Sequence, residues 1–137
     1  GPFIDPQKAR TAIKRGIETL QIKSGSTSDA VSTLSGGNQQ KVVIAKWLLV
    51  SPSVILMNDP TRGIDVGTKQ EIYRLMRQLA DDGKAILFYS SDYAELIGCS
   101  DRVSVLYDGR VVRELEGDDI NEESIVSASL NIGERAA

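Results

Sequence analysis

Apolar residues recur along this chain in two rhythms, and the changes of rhythm mark its elements. Ile13, Ile17 and Leu20 stand at i, i+4 and i+7, one stripe of a helix. Asp5-Pro6 supplies the start signal, an N-cap acid followed by proline at the first helical position. Gly16 within the stripe costs about 1 kcal/mol relative to alanine. The polar stretch SGSTSDAVST, residues 24–33, then breaks the helix and is the most linker-like part of the chain. The run LSGGNQQKVVIAKWLLV predicts a second helix from Gly37 to Val50, stopped by Ser51-Pro52. Val54 to Met57 is a continuous apolar run, the pattern of a strand buried on both faces.

Helical spacing returns from Gly67 to Ala80, with Ile72, Leu75, Met76 and Leu79 on one face. Gly83 sits just past its end, where a left-handed residue is favoured. AILFYS, residues 85–90, reads as another buried strand. Asp92 and Glu95 form a D-x-x-E capping box that opens a short helix to Gly98. VSVLY and RVVREL flank Asp108-Gly109, a two-residue hairpin signal. Asn121, followed by Glu122 and Glu123, starts a last helix to Leu130. The alternation of strand and helix, closed by a hairpin, predicts an α/β fold with a parallel portion of sheet.

Composition narrows the chemistry. At 137 residues the chain suffices for one domain with a real core. A net charge of −3 argues against a broad cationic surface for nucleic acid or anionic lipid. The longest apolar runs are far shorter than the roughly 20 residues a membrane helix needs. Cys99 is the single cysteine, so no intrachain disulfide forms. The chain has no histidine, which removes His bases and His metal ligands from it. Gly1-Pro2 reads as the scar of a cleaved tag, so the natural start is expected to be missing. Trp47 and Cys99 read as packing residues. Lys46 needs no function, and the acidic cluster from Glu114 to Glu123 reads as a solvated face.

The sharpest chemical signal is Leu34-Ser35-Gly36-Gly37-Asn38-Gln39-Gln40-Lys41. Two glycines at a helix start allow another molecule close to the backbone. The first-turn N–H groups lack intrahelical partners, and the helix dipole favours an anion there. Ser35 adds a hydroxyl donor, so the segment reads as a phosphate site. Taken alone, Ser-Gly-Gly is explained better by a flexible helix start with Ser35 as its cap.

The whole string resembles the signature motif of ABC-type ATPases. Its GGNQQK form is similar to the sugar-importer branch, whose ATP-binding subunit carries two ATPase domains in tandem. Further motifs agree in order. Val54 to Pro60 stands where the family has its Walker B strand. Thr61-Arg62-Gly63-Ile64-Asp65-Val66-Gly67 resembles the D-loop as found in the second domain of that branch. Ser90-Ser91-Asp92 falls at the switch loop, and SDRVSVLYDGRVV at the closing hairpin. The resemblance covers residues 3–130. The P-loop string G-x-x-x-x-G-K-[ST] does not occur in this chain.

The resemblance implies a partial P-loop NTPase domain, the C-terminal part of a second ATPase domain. Residues 3–50 would be a remnant of the helical subdomain and 51–130 the distal core, followed by a tail over 131–137. It implies ATP and Mg²⁺ as ligands of the full-length protein, weak or absent in this fragment. Partners would be the other ATPase domain, transmembrane permease subunits and, indirectly, a periplasmic sugar-binding protein, at the inner face of a bacterial membrane. Leu34, Ser35, Gly36, Gly37, Asn38 and Gln39 would meet the ATP held by the partner domain. Gly63, Ile64 and Asp65 would lie at the seam between the two, Asp65 serving also as a helix cap.

The departures concern this chain's own nucleotide. The family's strand ends in an aspartate that holds Mg²⁺ and a glutamate that handles the attacking water. Here those positions are Asn58 and Asp59. Asn58 keeps an oxygen but loses the charge that Mg²⁺ prefers. Asp59 keeps the charge but is one methylene shorter, and about 1 Å of misplacement can cost about 10²-fold in rate. Ser91 holds the switch position, often a histidine in the family; it reads equally as a helper in capping the next helix. Asn58 reads as natural degeneracy, as an engineered change of the metal site, or as a role passed to Asp59. Two rival functions stand beside this one: a non-catalytic coupling module, and the C-terminal lobe of a chromosome-maintenance ATPase. Unpaired strand edges in such a fragment also predict self-association.

Overall fold

The computed structural model describes residues 5–132, in which residues 5–89 and 90–132 form two compact units. The first unit runs α1 (Pro6–Thr19), α2 (Gly36–Leu48), β1 (Val54–Asn58), α3 (Val66–Asp81) and β2 (Ala85–Tyr89). Its helices start on the caps that the sequence supplies. Asp5 accepts from the Gln7 and Lys8 N–H groups, Ser35 from Asn38, and Asp65 from Thr68. Gly83 closes α3 in the left-handed region, at φ +82°. β1 and β2 pair in parallel from Val54–Ala85 to Asn58–Tyr89, with α3 as the crossover. Ile55 on the sheet meets Ile72, Leu75, Met76 and Leu79 of α3, Ile44 of α2, and Leu20 and Ile22 behind α1.

Three expectations are corrected. The strands are buried on one face, not two: Leu56 is 74% and Leu87 68% exposed, with Val54 and Tyr89 beside them. The alternation of a pleated strand sends Ile55 and Met57 into the core and Val54 and Leu56 to the opposite face. A continuous apolar run therefore overstated how much of the sheet this chain covers. Trp47 does not pack in the core; it is 60% exposed, with the Lys46 ammonium 5.3 Å from its ring centre. Ile13 of the predicted stripe is exposed too, leaving Ile17 and Leu20 to face the core.

One buried charge ties this unit together. Lys41 is only 4% exposed, and its ammonium pairs with the Glu71 carboxylate and donates to the Gln21 carbonyl at 3.4 Å. It thereby joins α2, α3 and the turn after α1. The Lys41 hydrogen bond holds the Glu71 carboxyl below its ordinary value of 4.5. A carboxyl lowered in the folded state stabilises it above its ordinary pKa, and that stabilisation fades as pH falls through the lowered value. Glu71→Gln strands a buried ammonium and is expected to cost about 2–3 kcal/mol. Thermal melts at pH 7 check this, and the variant's loss of stability should shrink as pH falls through the lowered Glu71 value.

The second unit holds α4 (Tyr93–Cys99), β3 (Arg102–Tyr107), β4 (Arg110–Glu116) and α5 (Glu122–Ser129). β3 and β4 form the predicted hairpin, with a register shift between Val105 and Leu106. Asp108 and Gly109 both have positive φ, +47° and +73°, as the mirror-image hairpin turn requires. Val103, Val105 and Leu115 pack with Ile120, Ile125 and Ala128. Asn121 caps α5 by accepting the Ser124 N–H at 2.9 Å. The acidic residues from Glu114 to Glu123, Leu115 and Ile120 between them aside, are exposed, as expected.

Candidate functional site

The glycine-rich segment is built as a held loop on a helix start. A short 3₁₀ turn, Val31–Thr33, leads into half-buried Leu34. The Ser35 hydroxyl oxygen accepts from Asn38 Nδ2 at 2.9 Å and from the Asn38 N–H at 3.5 Å. With both lone pairs used, its proton is what Ser35 has left to offer an incoming anion. Asn38 Oδ1 accepts the Lys23 N–H at 2.9 Å, anchoring the cap to the segment after α1. Gln39 Nε2 donates to the Leu34 carbonyl at 2.8 Å and braces the loop from behind. Ser35 and Gly36 are exposed, whereas Gly37 is buried. The N–H groups of Gly36 and Gly37 head the helix without intrahelical acceptors.

The structure brings this segment against residues 63–68. A β-carbon on Gly36 would lie 4.0 Å from the Gly63 carbonyl oxygen. One on Gly37 would lie 2.4 Å from Thr68 Cγ2 and 2.8 Å from Thr68 Oγ1. Gly63 turns the chain at φ +74°, and half-buried Ile64 packs against the core. Asp65 caps α3: its carboxylate accepts the Thr68 hydroxyl at 2.7 Å and the Thr68 N–H at 3.0 Å. Those bonds, the side-chain one foremost, hold the Asp65 carboxyl below its ordinary value. The expected helix cap at Asp65 is therefore present.

Asn58 and Asp59 stand at the end of β1. Asn58 is exposed, on the same face as Val54 and Leu56, and pairs in register with Tyr89. Asp59 is half-buried; its N–H donates to the Tyr89 carbonyl at 2.9 Å and its carbonyl accepts the Arg62 N–H at 3.1 Å. That turn, through buried Pro60 and Thr61, leads directly to residues 63–65. Asp59 adopts φ +44°, a left-handed conformation uncommon outside glycine and tolerated best by Asn and Asp. No cluster of three metal-ligating His, Cys, Asp or Glu side chains occurs among the described residues. The donor set is one amide oxygen and one carboxylate. It fits Mg²⁺ only where phosphate oxygens complete the shell.

Ser91 lies in the second unit, exposed, in the loop before α4. Its neighbour Ser90 is the buried one: the Ser90 hydroxyl meets the Glu95 carboxylate and accepts the Asp92 N–H at 3.0 Å. Sequence reasoning gave no role to Ser90, Thr68 or the Lys41–Glu71 pair. The signal for Lys41 was its place one turn beyond Gly37 on the inner face of α2. Thr68 left none, because its contact with Gly37 spans 31 positions.

Comparison with known proteins bears on this geometry. Residues 5–62 match the family model described as "ABC transporter". The chain is 63% identical over 130 residues to ribose import ATP-binding protein RbsA 1 of Rhizobium etli, covering 95% of the chain and 25% of that protein. It is 54% identical over 110 residues to ribose import ATP-binding protein RbsA 2 of Streptomyces avermitilis, covering 80% of the chain and 22% of the relative. The chain thus spans about a quarter of the length of the curated relatives it matches. Among solved structures, it superposes on a nucleotide-free ATP-binding cassette of an ABC transporter with a TM-score of 0.78 at 20% identity, covering 95% of the chain and 49% of the cassette. It also superposes on a dimeric cassette in a post-hydrolysis state bound to ADP and Pi, with a TM-score of 0.73 at 27% identity, over 84% of the chain and 50% of that cassette. The fold is that of part of an ABC ATPase cassette. Sequence kinship over most of the chain and a shared cassette fold agree: the chain is similar to one part of ABC transporter ATP-binding proteins, and its residues 5–62 match that family's model.

Proposed function

We propose that the chain is the distal part of the second ATPase domain in the ATP-binding subunit of a bacterial carbohydrate importer of the ribose type. Residues 3–50 form the end of its helical subdomain and residues 51–130 the distal core. The observation that carries this reading is the Ser35–Gly37 helix start, held by Asn38 and Gln39 and packed on residues 63–68. It presents a hydroxyl proton and two N–H groups to an anion. In the parent subunit this segment meets the γ-phosphate of ATP held by the other ATPase domain, and Gly63, Ile64 and Asp65 lie at the seam. Asn58 and Asp59 face this domain's own ATP and are the residues that would hold its Mg²⁺, an ion that offsets phosphate charge. Asp59 also orients the attacking water at its site, and Ser91 holds the switch position. With one neutral and one shortened side chain, that site binds ATP but turns it over slowly.

The subunit works with permease subunits at the cytoplasmic face of the membrane, and a periplasmic sugar-binding protein delivers the substrate. No helix among the described residues is long and apolar enough to cross a membrane, which suits a peripheral subunit. The isolated chain is expected to bind Mg-ATP weakly and hydrolyse none, since it has no P-loop string. Its bare sheet face, with Leu56 and Leu87, is expected to drive self-association. Calorimetry with Mg-ATP and light scattering check both; tight binding or a strict monomer contradicts them.

A further inference from the structure

The two glycines of the Ser35–Gly37 segment are not equivalent. A side chain on Gly36 would meet nothing nearer than the Gly63 carbonyl oxygen at 4.0 Å, so its surroundings are open. A β-carbon on Gly37 would overlap the Thr68 side chain, with Cγ2 at 2.4 Å, Oγ1 at 2.8 Å and Cβ at 3.0 Å. Thr68 has little freedom to move aside. Its hydroxyl donates to Asp65 at 2.7 Å and its N–H to the same carboxylate at 3.0 Å. As a β-branched residue near the start of α3 it is also stiff about χ1. One turn further along both helices, Lys41 and Glu71 fix the same α2–α3 contact.

We infer that Thr68 is a positioning residue for the phosphate-binding segment: it seats against the bare Cα of Gly37 and sets the direction of the N–H groups at the start of α2. The glycine at 37 is then required from within the protein, by α3, rather than by the approach of a ligand. The functional half of this inference rests on the reading of Ser35–Gly37 as a phosphate site. Anything that shifts α3 also turns the α2 start, so residues 63–65 and 35–37 respond together.

The test is a set of double variants in the full-length ATP-binding subunit that contains this segment. Gly37→Ala is expected to lower both the thermal midpoint and kcat, the latter at least tenfold. Adding Thr68→Ala removes the two nearest clashing atoms and should restore most of both losses. Adding Thr68→Ser removes only the methyl and should restore less. Adding Thr68→Val keeps the volume while removing the hydroxyl and should restore nothing. The order Ala, Ser, Val is the signature of a steric contact; a merely destabilised protein would not follow it. If Gly37→Ala fails to fold, recovery of folded subunit with Thr68→Ala supports the contact, and failure to recover overturns it. No rescue of kcat by Thr68→Ala, or equal rescue by Thr68→Val, also overturns the inference. The reading of the site stands or falls separately, on whether Ser35→Arg abolishes hydrolysis.

Discussion

Ser35→Arg in the full-length ATP-binding subunit is expected to reduce steady-state ATP hydrolysis by about 10²-fold or more. Two effects combine. The substitution removes the hydroxyl proton that the geometry leaves available for phosphate, because both lone pairs of Ser35 are engaged by Asn38. It also puts a long cationic side chain at the mouth of the helix start that the proposed function sets against a partner's nucleotide. The lost cap costs only about 1 kcal/mol of stability, so the fold should survive. Thermal melts alongside the kinetics separate the two: a small change in melting with a large loss of kcat is the expected pattern. Unchanged hydrolysis would remove the trans-phosphate role from Ser35.

Asn58→Asp should act in the opposite direction. The variant returns a negative charge to the exposed end of β1, beside Asp59, and Mg²⁺ binds charged oxygens in preference to amides. The Mg²⁺ dependence of hydrolysis should shift to lower concentration, with turnover at this domain's own site rising about tenfold, equivalent to about 1.4 kcal/mol of barrier. The gain stops there because Asp59 remains one methylene short of the glutamate found in the family. Its φ of +44° and its turn through Pro60 fix where that short side chain starts. No change in rate or Mg²⁺ dependence would mean that Asn58 does not weaken the site. The same outcome would favour the coupling-module reading.

Much of this architecture was legible in the sequence because local chemistry governed it. Asp5, Ser35, Asp65, Asp92 and Asn121 each cap the helix their position announces. Asp108-Gly109 makes the turn that its two positive φ values demand. What stayed hidden depends on contacts distant in sequence or on what covers a surface. Val54 to Met57 reads as a doubly buried strand, yet half of it is bare. The run reports the environment the strand is suited to, not what this length of chain places over it. Trp47 misled for the same reason. Lys41 and Glu71 are ordinary surface residues by type, and only the meeting of α2 and α3 buries the lysine against its half-buried partner. The candidate site divides similarly. The Ser35 cap at the start of α2 is local and legible, while the close approach of Thr68 to Gly37 joins positions far apart in the chain.

The central claim is that this chain gives an intact phosphate-binding segment to a partner's nucleotide and a weakened strand end to its own. Rapid-quench measurement of a single turnover, with the full-length subunit's two nucleotide sites filled with Mg-ATP, tests it most directly. The account predicts a fast phase of one ADP per subunit, with the second nucleotide retained as ATP. Two ADP released per subunit in a single phase would contradict it.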